Sequence, residues 1–262
     1  MGEVAATELE RALRARIDRG GRAFVPYVTA GFPGIDAPLL RDLAAAGADA
    51  IEVGVPFSDP VMDGGVIQEA SKRALDAGTT PEQVLRMIAD AASPVPVAVM
   101  TYFNPVLRMG MDTFLTAAAD AGVTGAIVPD LPVDEAEDWV MLCAKEDVAS
   151  VLLAAPGEDD RRLRAIADAS RGFVYCVATY GVTGARDRLE NTAEALVGAL
   201  RPLTDRPLLV GVGIGTPEQA REACAFADGV IVGSALMRHL VSGERAEALG
   251  LAEELRAAIP PG

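Results

Sequence analysis

Eight times along the chain, a short apolar run rich in β-branched residues gives way to a stretch whose apolar side chains recur three and four residues apart. The runs occupy residues 23–29, 49–55, 95–102, 125–129, 150–155, 172–178, 207–213 and 228–233. Helical stretches lie near 37–46, 67–77 with a second at 81–92, 111–121, 134–146, 159–169, 189–200 and 217–226, with a last one ending near residue 258. The first spacing is that of strands and the second that of amphipathic helices. Strict βα alternation calls for a parallel sheet, and eight units predict a closed (β/α)8 TIM barrel rather than an open doubly wound sheet. A Rossmann fold would want G-x-G-x-x-G after the first strand, where Thr29-Ala-Gly-Phe-Pro-Gly34 stands instead. A further helix near 7–17 precedes the first strand and is expected to cap the bottom of the barrel. No low-complexity linker interrupts the 262 residues, so one domain is expected over 1–262.

The formal net charge of -15 disfavours nucleic acid and anionic membrane as partners, because both need a basic surface. An anionic substrate must therefore meet a local positive field. No apolar run has the length of a membrane span, and Glu3, Glu8, Glu10 and Asp18 stand where a signal peptide would be apolar. A cytoplasmic location is expected. Cys143, Cys176 and Cys224 lack C-x-x-C spacing and read as small buried hydrophobes.

Chemistry is expected at the carboxyl ends of the strands, where the connections 56–65 and 180–188 are longer than the rest. In Ala50-Ile-Glu-Val-Gly-Val55, alternation sets Glu52 opposite Ile51 and Val53. If those two face the helices, Glu52 points into the barrel, where desolvation raises its pKa and suits it to acid-base work. The alternative is a structural glutamate paired with a buried arginine. The following loop supplies Asp59 and Asp63, and Asp63, farther along, is the better second catalytic group. Lys72 and Lys145 fall in predicted helices and His239, the only histidine, in the last helical region, so a Schiff base, a His-carboxylate metal site and a serine triad all lack candidates. Three glycine segments follow the last three strands: Gly181-Val-Thr-Gly184, Gly211-Val-Gly-Ile-Gly215 and Gly233-Ser-Ala235. Together they predict a phosphate cradle of backbone amides.

Phe24-Val-Pro-Tyr-Val-Thr-Ala-Gly31, Glu52-Val-Gly-Val-Pro-Phe-Ser-Asp-Pro60, Met100-Thr-Tyr-Phe-Asn-Pro105, Pro129-Asp-Leu-Pro132, Gly181-Val-Thr-Gly184 and Val232-Gly-Ser-Ala235 run in order over almost the whole chain. In these segments the chain resembles the tryptophan synthase α subunit family. The resemblance implies retro-aldol cleavage of indole-3-glycerol phosphate to indole and glyceraldehyde 3-phosphate. It gives Glu52 the acid-base role and Asp63 that of holding the indole N–H. Phe24, Tyr175, Thr183, Gly184, Gly213, Gly233 and Ser234 match substrate-binding positions, with Tyr175 inward if Val174 and Cys176 face out; Thr183 is placed to bond Asp63 when the two long loops close. Asp59, Asn104 and Pro132 match positions that dock a β subunit, which carries the pyridoxal phosphate; no cofactor is expected in this chain, and an αββα heterotetramer is. Gly65, Val212 and Gly215 depart from the family pattern, and Gly65 is expected to loosen the first long loop. Other readings are a lyase that works alone, a cofactor-free sugar-phosphate isomerase or epimerase, and a non-catalytic regulatory chain.

Overall fold

The computed structural model describes residues 5–177, 186–211 and 213–262. Eight strands among these close into a parallel barrel in chain order: β1 (Ala23–Thr29), β2 (Ile51–Gly54), β3 (Val97–Met100), β4 (Val123–Ile127), β5 (Ala149–Ala154), β6 (Val174–Val177), β7 (Leu208–Gly211) and β8 (Gly229–Val232). The helices are α1 (Glu8–Ile17), α2 (Ala37–Ala45), α3 (Gly65–Asp76), α4 (Pro81–Ala91), α5 (Phe103–Met109), α6 (Met111–Asp120), α7 (Glu137–Lys145), α8 (Asp160–Ala169), α9 (Arg186–Leu200), α10 (Pro217–Ala223), α11 (Ser234–Val241) and α12 (Arg245–Ala258). The expected TIM barrel with an added N-terminal helix is the fold observed. No helix among the described residues is long and apolar enough to cross a membrane.

Local chemistry starts these helices where they start. Thr7, Asp36 and Asp159 accept hydrogen bonds from amides of the first turns of α1, α2 and α8, and Thr80 with Gln83 and Thr216 with Gln219 form reciprocal capping boxes on α4 and α10. At the bottom of the barrel α1 buries Leu9 and Leu13 completely. Leu9 fits because the barrel wall there is glycine: a Cβ on Gly125 would stand 2.6 Å from its Cδ2. The closing seam pairs Ala23 with Gly229, and a Cβ at Gly229 would lie 2.5 Å from the Ala23 carbonyl oxygen.

Several bounds shift by one to three residues, and three departures have a local cause. β4 begins at Val123 and ends at Ile127, not 125–129, because its ladder with β3 runs from Val97↔Val123 to Met100↔Ile127 and leaves residue 128 without a partner on that side. α5 was not expected, since Asn104-Pro105 reads as a turn; Asp130, from the next strand's loop, accepts from the Phe103 amide at its start. The last helical region divides into α11 and α12 at Gly243, whose φ of +78° suits glycine.

Candidate active site

A cavity of about 540 Å³ opens at the carboxyl ends of the strands, and Glu52 and Asp63 both line it. Glu52 sits beside Tyr27 of β1 and Ala98 of β3 in the ladder, and Ile51 and Val53 are packed in the core on either side of it. Its side chain is therefore turned inward, as alternation along β2 requires. It is 1 % exposed, and its Oε2 has no hydrogen-bond partner among the described residues. Burial first, and the charge of Asp63 second, push its pKa up to about 8; among the described residues no cation offsets them. The alternative of a glutamate held by a buried arginine is thus not what surrounds it.

Asp63 reaches the same cavity from the loop after β2. Burial raises its pKa to about 6, while the Tyr102 hydroxyl, donating to Oδ2 at 3.4 Å, restrains the rise. Tyr102 also accepts from the Met62 amide at 3.0 Å and stacks on Phe57 with ring centroids 4.9 Å apart. One side chain from the end of β3 thereby ties down both the start and the middle of the loop that carries Asp63. Near neutral pH the two carboxylates differ: Glu52 holds a proton and Asp63 does not.

Two tyrosines wall the cavity. Tyr27 lies across Gly54 and Tyr175 across Gly211, each so close that a Cβ on the glycine would fall 2.1 Å and 2.2 Å from the phenol oxygen. Each ring thus needs a glycine on the next strand. Tyr175 is where the sequence put it. Phe24 is not: it is fully buried and does not line the cavity, because Tyr27 points inward and Phe24, an odd number of residues away on the same strand, faces the helices.

Gly213, Gly233 and Ser234 line another part of the wall, where α11 begins at Gly233 without a side-chain cap. Gly64 lines it too and begins α3, again uncapped. Amides left free in this way are donors for an anion. The Gly215 amide is already engaged, donating to Gln219 Oε1 at 2.8 Å. Gly65 is the first residue of α3 rather than part of the loop's slack, and a Cβ there would meet nothing within 4 Å. Thr183, Gly184 and Val212 lie outside the described residues.

Asp59 and Asn104 are exposed and Pro132 half-buried, on the segments that follow β2, β3 and β4. Val61 and Leu107, on the first two of those segments, are exposed apolar side chains. Lys72 and Lys145 pair with Asp76 and Asp112 on the outer helices, and His239 pairs with Glu244; none of the three lines the cavity. Sequence reasoning missed Tyr27, Tyr102 and Arg238, the last lining the cavity from α11. The alternation that placed Glu52 could have found Tyr27.

A TIM barrel whose cavity joins two carboxylates of separated pKa to a wall of free helix-end amides is an enzyme built for acid-base chemistry on a substrate with an anionic end. The family model described as tryptophan synthase alpha chain matches residues 13–258. The tryptophan synthase alpha chain of Carboxydothermus hydrogenoformans is 47 % identical over 84 % of this chain and 84 % of its own, and that of Microcystis aeruginosa 43 % identical over 95 % and 96 %. Among solved structures, Mycobacterium tuberculosis tryptophan synthase superposes with a TM-score of 0.90 at 38 % identity, covering 98 % of this chain and 100 % of that one. The Legionella pneumophila alpha subunit gives 0.87 at 32 %, covering 97 % and 98 %. The chain belongs to the tryptophan synthase alpha chain family. It is accordingly a carbon-carbon lyase of tryptophan biosynthesis, and it pairs with a β subunit, in which the pyridoxal phosphate sits.

Proposed function

We propose that Glu52 and Asp63 are the pair with which this chain cleaves indole-3-glycerol phosphate into indole and glyceraldehyde 3-phosphate. The observation that carries the assignment is the split between them: a buried acid with a pKa of about 8 and, in the same cavity, a carboxylate at about 6. Protonated Glu52 delivers its proton to indole C3, and positive charge spreads to the ring nitrogen. Ionised Asp63 accepts from the indole N–H and stabilises that charge. The bond from C3 to the hydroxyl-bearing carbon then breaks, its electrons restoring the aromatic ring. Glu52, now a carboxylate, takes the hydroxyl proton as the aldehyde forms, so the residue ends as it began.

The remaining assignments follow from this orientation. Tyr175, together with Tyr27, flanks the ring, while Gly213, Gly233 and Ser234 at the start of α11 hold the phosphate. Thr183 and Gly184 keep the binding roles that the sequence implies. Asp59, Asn104 and Pro132, beside exposed Val61 and Leu107, form the face for the β subunit in an αββα assembly. Three free, buried cysteines support a reducing compartment, the cytoplasm. The whole chain acts as one domain.

The test is indole release from indole-3-glycerol phosphate with and without an added β subunit, with triose and pentose phosphates as comparison substrates. Release of indole that the β subunit accelerates is the expected result. Epimerised sugar phosphate without indole would overturn the reading.

A further inference from the structure

We infer that Arg238 is a substrate-binding residue, its guanidinium supplying the charge that the backbone amides lack when the phosphate end of the substrate enters. This rests on the reading above. Arg238 is the one lysine or arginine among the described residues that line the cavity. It stands four residues after Ser234 on α11, hence on the same helix face, one turn from the free amides. Its backbone carbonyl accepts from Ser242, but its guanidinium enters no hydrogen bond or ion pair among the described residues.

What sets Arg238 apart is its place on the cavity wall beside those amides. Elsewhere on this acidic chain some arginines hold carboxylates and others do not: Arg73 holds Glu69, Arg162 holds Asp134 and Glu158, and Arg245 holds Asp36 and Asp42, whereas exposed Arg86, Arg108 and Arg164 have no ion pair among the described residues. Arg238 is left free at the one place where a dianion must be drawn toward an acidic molecule. Amides orient an anion but carry only partial charge, whereas a guanidinium is always charged and can bind phosphate oxygens in pairs. Because the side chain is exposed, its attraction is screened by salt.

Direct titration of the whole chain with glyceraldehyde 3-phosphate and, separately, with indole tests this without requiring turnover. Arg238→Gln should weaken glyceraldehyde 3-phosphate binding about tenfold, as expected for one lost charge-assisted contact. Arg238→Lys should recover most of that loss, the deficit should shrink at high salt, and indole affinity should stay within about twofold. Equal glyceraldehyde 3-phosphate affinity in parent and Arg238→Gln would overturn the inference, as would an equal loss for neutral indole. A parent that cleaves indole-3-glycerol phosphate while Arg238→Gln binds the phosphate unchanged refutes only this inference. Binding that depends on Arg238 in a parent that releases no indole refutes only the underlying reading.

Discussion

Glu52 and Asp63 share a cavity but not a protonation state, and the difference has a kinetic signature. On the proposed mechanism the rate needs Glu52 protonated and Asp63 ionised, so kcat/KM for indole release should be bell-shaped in pH. It rises as Asp63 ionises through about 6 and falls as Glu52 loses its proton through about 8. In Asp63→Asn the acidic limb should vanish from the small residual rate. Its alkaline limb should move to lower pH, because the charge that helps raise Glu52 is gone. Tyr102 sets the other limb. Its hydrogen bond lowers the pKa of Asp63, so Tyr102→Phe should shift the acidic limb upward and cut turnover roughly three- to tenfold, the worth of one such bond. A pH profile of each variant checks both signs.

Strand alternation made Glu52 and Tyr175 legible before any coordinates, because a residue's face follows from its neighbours once one of them is placed. The same rule, applied from Tyr27, turns Phe24 outward. Tyr102 lies past the end of β3, where alternation no longer fixes direction, and what it touches depends on how the loop after β2 folds back. α5 was hidden for a similar reason: its start is supported by Asp130, a residue of another loop. Joints between elements were likewise unreadable, and one of them is testable. Asp49, just before β2, accepts from the Phe24 amide at 2.9 Å, from Arg16 of α1 at 2.7 Å and from Arg256 of α12 at 3.0 Å. Asp49→Asn leaves two partly buried guanidiniums short of a counter-charge, which costs roughly 2–4 kcal/mol. Thermal unfolding should therefore occur on the order of 10 °C lower. Since this cluster lies at the amino ends of the strands, indole release at room temperature should stay within about twofold of the parent.

Closing the ladder from β1 through β8 gives the molecule one end for stability and the other for chemistry. At the bottom, α1 fills the barrel with Leu9, and Gly229 lets the seam shut. At the top, the strand ends converge on one cavity, and the segments after β2 and β3 leave Asp59, Val61, Asn104 and Leu107 exposed. The helix ends and Arg238 meet on the wall of the same cavity that Glu52, 1 % exposed, lines. Turnover of indole-3-glycerol phosphate by Glu52→Gln, measured beside its affinity for the same substrate, tests the acid-base role proposed for Glu52 directly. An amide cannot deliver the proton, so kcat should fall about a thousandfold or more while the dissociation constant changes only a few-fold. Turnover within tenfold of the parent would contradict the role given to Glu52.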